Sequence, residues 1–167
     1  MKFTTVILST CMLISSAASV QSKDWRGITP MKSTHADVER LLGSPVANIG
    51  YERYELSEET VEVEYVHYPC DLKPPKGCLI APPVCALPPN TVLSITTTLR
   101  RPFPMSDMHL DLSKFEKVPD EHHTGRYFGY FDREKGFSVR VYDGAVIGYG
   151  YHPTKEDQKL FRCGVAN

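Results

Sequence analysis

Along most of the chain the apolar positions alternate with polar ones, and the clearest departure is residues 28–45, where the period becomes helical. Val38, Leu41 and Leu42 stand at i, i+3 and i+4, the stripe of a two-turn amphipathic helix. Thr34 is placed to cap it, with Asp37 at the third helical position where Glu or Gln is more usual. The helix should therefore start at His35, carry Arg40 near its negative end, take Gly43 at C′ and stop before Pro45. Two turns are not stable alone in water, so all three stripe residues are expected to face a sheet built later in the chain.

Residues 51–57 and 60–68 read as two strands joined by a tight turn. In the second, Val61, Val63 and Tyr65 share one face while Glu62 and Glu64 take the other, so one side of the sheet should be wet. Alternation then stops. Residues 69–89 are rich in proline, which removes ladder donors, and the stretch is expected to be a loop. It reads either as a presented binding loop or as an insertion held for stability. Residues 91–99 form a β-branched strand with Leu93, Ile95 and Leu99 on one face. Arg100, Arg101 and the prolines after them break it, leaving the two arginines as an anion or partner contact or as solvated charges. Residues 106–118 offer a second, weaker helix through Leu112 and Phe115, ended by Pro119.

Three more strands are expected at 126–132, 136–142 and 145–151, the last two joined by a type I′ turn at Asp143-Gly144. A two-residue turn pairs Tyr142 with Ala145, Val141 with Val146, Val139 with Gly148 and Phe137 with Gly150. The glycines then lie opposite large apolar residues on the core face, the arrangement expected where a helix crosses. Thr154 caps a last short turn, and Trp25, the only tryptophan, is expected to anchor the N-terminal segment in the core.

The halves 28–99 and 106–151 repeat one order. A shift of 76 positions sets Tyr51, Tyr54 and Glu58 on Tyr127, Tyr130 and Glu134, and Val61, Val63 and Tyr65 on Phe137, Val139 and Val141. Either the chain is two αβββ units or two strand pairs with similar turns happen to align. The run DVERLLGSP, followed by a tyrosine-containing hairpin, resembles the helix-to-strand signature of the small outer-membrane-assembly lipoproteins of the SmpA/OmlA type. Tandem copies of a similar fold occur in the β-lactamase-inhibitor proteins. From Trp25-Arg26-Gly27 to Arg162-Cys163 the chain also looks similar to a set of exported bacterial proteins. The expected fold class is therefore α+β: an antiparallel sheet with short helices packed on one face.

Residues 1–19 add a compartment. Lys2, an apolar run and then small residues describe a secretory leader with Ala18 or Ser19 as the last residue removed, and the run is too short to span a bilayer. Residues 20–167 then make one exported domain, periplasmic or extracellular. Loss of the leader removes Cys11 and leaves Cys70, Cys78, Cys85 and Cys163, an even number that reads as two disulfides. Pairing Cys70 with Cys78 and Cys85 with Cys163 closes a short loop and ties it to the C-terminus, but three connectivities are open. Their spacing does not suit zinc.

Basic and acidic residues nearly balance, 19 against 20, and no basic stripe is interleaved with aromatics, so nucleic acid is not an expected partner. No catalytic or nucleotide-binding fingerprint occurs, and no cofactor is implied. The leading expectation is a non-catalytic, envelope-associated or secreted interaction module with a protein partner, an enzyme inhibitor being one case. The alternative is a metal-dependent hydrolase built on His109, His122, His123 and His152, near Asp107, Asp111, Asp120 and Glu121.

Overall fold

A computed structural model describes residues 24–66, 87–119 and 125–160. Helix α1, His35–Leu42, forms as its sequence dictates. The Thr34 side chain accepts from the Asp37 N–H, the Asp37 carboxylate accepts from the Thr34 N–H at 2.9 Å, and Gly43 closes the helix at φ 81°. Only Val38 of the stripe is fully buried; Leu42 is half-buried and Leu41 is 47% exposed. Two turns present too narrow an arc to bury all three residues on a twisted sheet.

Eight strands follow: β1 Ala47–Asn48, β2 Glu52–Glu55, β3 Glu59–Tyr65, β4 Val92–Pro104, β5 Glu116–Pro119, β6 Tyr127–Asp132, β7 Phe137–Tyr142 and β8 Ala145–Tyr151. They make one antiparallel sheet in the order β1-β2-β3-β4-β8-β7-β6-β5, so two four-stranded meanders meet where β4 pairs with β8. A short helix α2, Lys155–Leu160, ends the described chain, and its start repeats the capping box with Thr154 and Asp157.

The chain is mainly β, which overturns the α+β expectation of a sheet with helices packed on one face. Residues 106–118 hold no α-helix. They form two 3-10 turns, Met105–Met108 and Leu112–Lys114, and then β5. His109 between the turns is left-handed at φ 51°. Continuous helix would place Leu112 beside Met108 and Phe115 and swing Leu110 away. The observed chain instead leaves Leu112 43% exposed and packs Met105, Met108, Leu110 and Phe115 against the core of the second meander.

That core lies on one face in two clusters. The first gathers Trp25, Ile28, Val38, Tyr54, Val61, Val63 and Ile95, with Trp25 buried as its sequence position implied. The second gathers Phe137, Val139, Val141 and Val146, and Tyr151 packs against both. Three bulges keep apolar residues on this face. At the first, Tyr65 pairs with Val92 and Glu64 with Ser94, so Leu93 is extra and Val92 joins Ile95 in the core. At the second, β4 does not end at Leu99: residues 99–102 have no partner in β8, although Leu99 still pairs with Glu59 of β3, and pairing with β8 resumes at Phe103. The third corrects the hairpin register. Tyr142 pairs with Ala145 and Val141 with Val146, but Arg140 then pairs with Gly148 and Ser138 with Gly150, leaving Ile147 extra.

The third bulge moves both glycines to the face opposite the core, and no helix of the described residues crosses them. Each is covered by side chains of the sheet itself. A Cβ at Gly148 would overlap the Thr97 carbonyl oxygen and the Arg140 guanidinium, and one at Gly150 would overlap the Ser138 hydroxyl and the His152 ring. Backbone cannot yield as a side-chain tip can. Gly148→Ala is therefore expected to destabilise by about 1–3 kcal/mol and Gly150→Ala by clearly less, as measured by urea unfolding; equal losses would refute the close approach of β4 and β8. Thr34→Ala should cost about 1 kcal/mol through the lost cap in the same measurement.

Candidate functional site

The face away from the core carries a groove of about 240 Å³. Strand register builds it from two cross-strand rows: Thr96, Gly150, Ser138 and Phe131 in one, and Thr98, Gly148, Arg140 and Gly129 in the next. The three glycines let large side chains lie flat, Phe131 over Gly129, Arg140 over Gly148 and His152 over Gly150. Tyr127 and Phe131 supply aromatic wall, and Ser138, Arg140 and His152 supply the polar groups.

Ser138 Oγ and His152 Nε2 lie 2.9 Å apart. Burial holds the imidazole below its ordinary value of 6.5; Arg133 adds to this, and Glu64 pulls against both. Neutral at pH 7, this histidine can trade one proton with the serine. Among the described residues no carboxylate is hydrogen-bonded to the ring, so the third group that orients a base behind a nucleophile is missing. Arg140 donates through Nη2 to the Thr97 carbonyl oxygen and, at 2.6 Å, to Thr98 Oγ1. Its Nε is buried without a partner. No carboxylate of the described residues forms an ion pair with it. Among the described residues the groove thus joins one cation without an ion-pair partner, a neutral hydroxyl–imidazole pair and two aromatic rings.

A second concavity, about 290 Å³, lies on the core side beside the start of α1 and is lined by His35, Asn48, Tyr51, Glu52, Tyr65 and Asn90. Alternation along β2 puts Glu52 on the same face as Tyr54, opposite Val63, and it is only 5% exposed. Its Oε1 accepts from Asn48 Nδ2 at 3.2 Å and faces His35 Nε2 at 2.9 Å; its Oε2 accepts from the Tyr54 hydroxyl at 2.7 Å. Burial pushes the carboxyl up, but Tyr54, Tyr65 and His35 outweigh it and hold the pKa below the usual 4.5. Burial drives Tyr54 up to about 12, Tyr65 opposing and Glu52 adding, and drives Tyr65 higher still. Tyr65 stands close enough to act on Glu52 electrostatically, yet its hydroxyl makes no aligned hydrogen bond.

Of the four histidines proposed as metal ligands, His152 is in the groove and bonded to Ser138, while His109 is an exposed residue in the left-handed cap of a 3-10 turn. His122 and His123 lie outside the described residues, as do Cys70, Cys78, Cys85 and Cys163 and most of the proline-rich loop. Among the described residues no three His, Cys, Asp or Glu side chains group as a metal site. Arg100 is engaged locally, its Nη2 2.5 Å from Glu55 and its Nε on the Leu56 carbonyl. Reasoning from sequence overlooked Ser138, Arg140 and the His35–Glu52 pair. A glutamate at a core-parity position, Glu52, was the one legible sign of the pair.

No family model, curated protein or solved structure matches the chain. Among the described residues no helix is long and apolar enough to cross a membrane.

Two acid windows should mark the two sites. Between the folded pKa of His152 and 6.5 the unfolded chain binds the extra proton, so stability is full above 6.5 and falls as pH drops through that interval. Glu52 behaves likewise below 4.5, its contribution lost as pH falls through its depressed folded value. Asp37, Asp111, Glu116 and Asp143 titrate low as well, but all are solvent-screened. Urea unfolding followed against pH should lose the upper slope in His152→Gln and shed part of the lower slope in Glu52→Gln.

Proposed function

We propose that the protein is an exported, non-catalytic binding module that engages a protein partner through the face of its sheet opposite the core. The observation that carries this reading is the division of the sheet. One face is covered by α1 and the 3-10 segment, while the other is stripped by glycines to a groove whose arginine has no carboxylate partner among the described residues. Aromatic rings beside an uncompensated guanidinium are the side chains that dominate binding energy at interfaces. Among the described residues no carboxylate orients His152 behind Ser138, as a hydrolase on this groove would need.

A photoreactive amino acid at Thr98, exposed on the open face, should form an adduct with one partner in cells that export the protein. The same residue at Leu112, on the opposite side, should form none. Thr96→Arg, which fills the groove, should reduce the Thr98 adduct at least tenfold at unchanged melting temperature. Equal labelling at both positions, or none at Thr98, would refute the reading. Amino-terminal sequencing of the exported form tests the compartment; the expected first residue is Ser19 or Val20.

A further inference from the structure

The pocket beside α1 plays no part in the open-face reading. Among the described residues its lining holds a buried carboxylate and no lysine or arginine. We propose that it binds a small organic cation through a primary ammonium group, with Glu52 as the counter-charge.

Charge sets the class of ligand. Glu52 is ionised at neutral pH, and Glu39 Oε2 stands 3.7 Å from His35 Nδ1 on the other side of the ring. Two carboxylates flank one imidazole, so the surroundings stay negative even with the ring protonated. The positive pole of α1 is met by the Asp37 carboxylate in its cap. Among the described lining residues an anion meets no lysine or arginine, only an imidazole held between two carboxylates, and a neutral polyol would gain nothing from the charge.

The free valences fit an ammonium. Each carboxylate oxygen accepts two hydrogen bonds: Oε1 is filled by His35 and Asn48, whereas Oε2 holds only Tyr54 and keeps one site. The Tyr65 hydroxyl, in a residue 5% exposed, is buried without a partner at the same place. Such an orphan is costly unless something binds it. Asn48 spends its Nδ2 on Glu52 and leaves Oδ1 unspent. Three acceptors, Glu52 Oε2, Tyr65 Oη and Asn48 Oδ1, answer the three donors of a primary ammonium. Tyr51, 38% exposed, lines the same pocket and adds an aromatic ring for the methylenes or the charge.

Titration of the full exported chain with putrescine, with Nα-acetyl-lysine methylamide and with butane-1,4-diol, followed by NMR of the asparagine side-chain amides, tests the site. Putrescine should shift Asn48 and Asn90 saturably and the diol should not. A matching response to the lysine derivative identifies a lysine side chain of a peptide as an acceptable source of the ammonium; putrescine alone restricts the site to free amines. Glu52→Gln should weaken binding at least tenfold. Because that variant alters a buried cluster, Tyr51→Ala provides the second reading: several-fold weaker binding at unchanged melting temperature. Equal response to the diol, or no response to either amine at millimolar concentration, overturns the proposal. The open-face groove is untouched by any of these outcomes.

Discussion

Everything in this fold depends on the seam between β4 and β8, because it is the one strand pairing that joins the two meanders. The seam is unusually tight. Gly148 brings its backbone against the Thr97 carbonyl where no side chain fits, and the fully buried Thr97 answers with its hydroxyl, accepting from the Tyr149 N–H at 3.1 Å. Arg140 then reaches from β7 across β8 to hold the Thr97 carbonyl and the Thr98 hydroxyl. Ladder bonds disturbed by the neighbouring bulges are thereby replaced by side-chain bonds, as buried backbone polar groups require. Tyr151 ties the two core clusters together on the other side of the same strand.

The seam also settles where binding chemistry can sit. With every fully buried aliphatic side chain of both clusters on one face, the opposite face need hold no core, and its glycines let Phe131, Arg140 and His152 lie flat across the ladder. Arg140 serves both sides of this division: one nitrogen stabilises the seam, while the guanidinium is the only cation lining the groove among the described residues. Glu52 is the reverse case. It sits on the core face at a sheet end too narrow for α1 to cover fully, and a charge at core parity survives there because His35, Asn48 and Tyr54 supply its hydrogen bonds.

What could be read from sequence is what local chemistry decides. The Thr34–Asp37 box, the Gly43 terminus, the Asp143-Gly144 turn and the alternation of β3 are each specified by residues within a few positions of one another. Bulges at Leu93 and after Thr98 are not, since their partner strands lie far off in the chain, and the bulge at Ile147, though inside a hairpin, sits where β8 also slips against the distant β4. One unread bulge sufficed to put Gly148 and Gly150 on the wrong face, because a single-residue slip inverts a strand. The groove was illegible for the same reason: Ser138, Arg140 and His152 converge only in the corrected register. Residues 106–118 misled differently, for Leu112 and Phe115 suit a helix until the left-handed His109 lets Leu110 enter the core instead.

The sheet's ends point to the same division of labour as its faces. Unprotected edges invite strand addition, and this sheet protects both of its own. At one end β1 is two residues long and pairs only with the first half of β2. At the other, β5 ends in Pro119, which has no donor to offer, and holds Lys117 with its ammonium 3.7 Å from the Phe128 ring centre. A partner strand would find few free donors at either edge. The proposed contact, side chains meeting a partner across the glycine-bearing face, would need no change in the seam that holds the two meanders together.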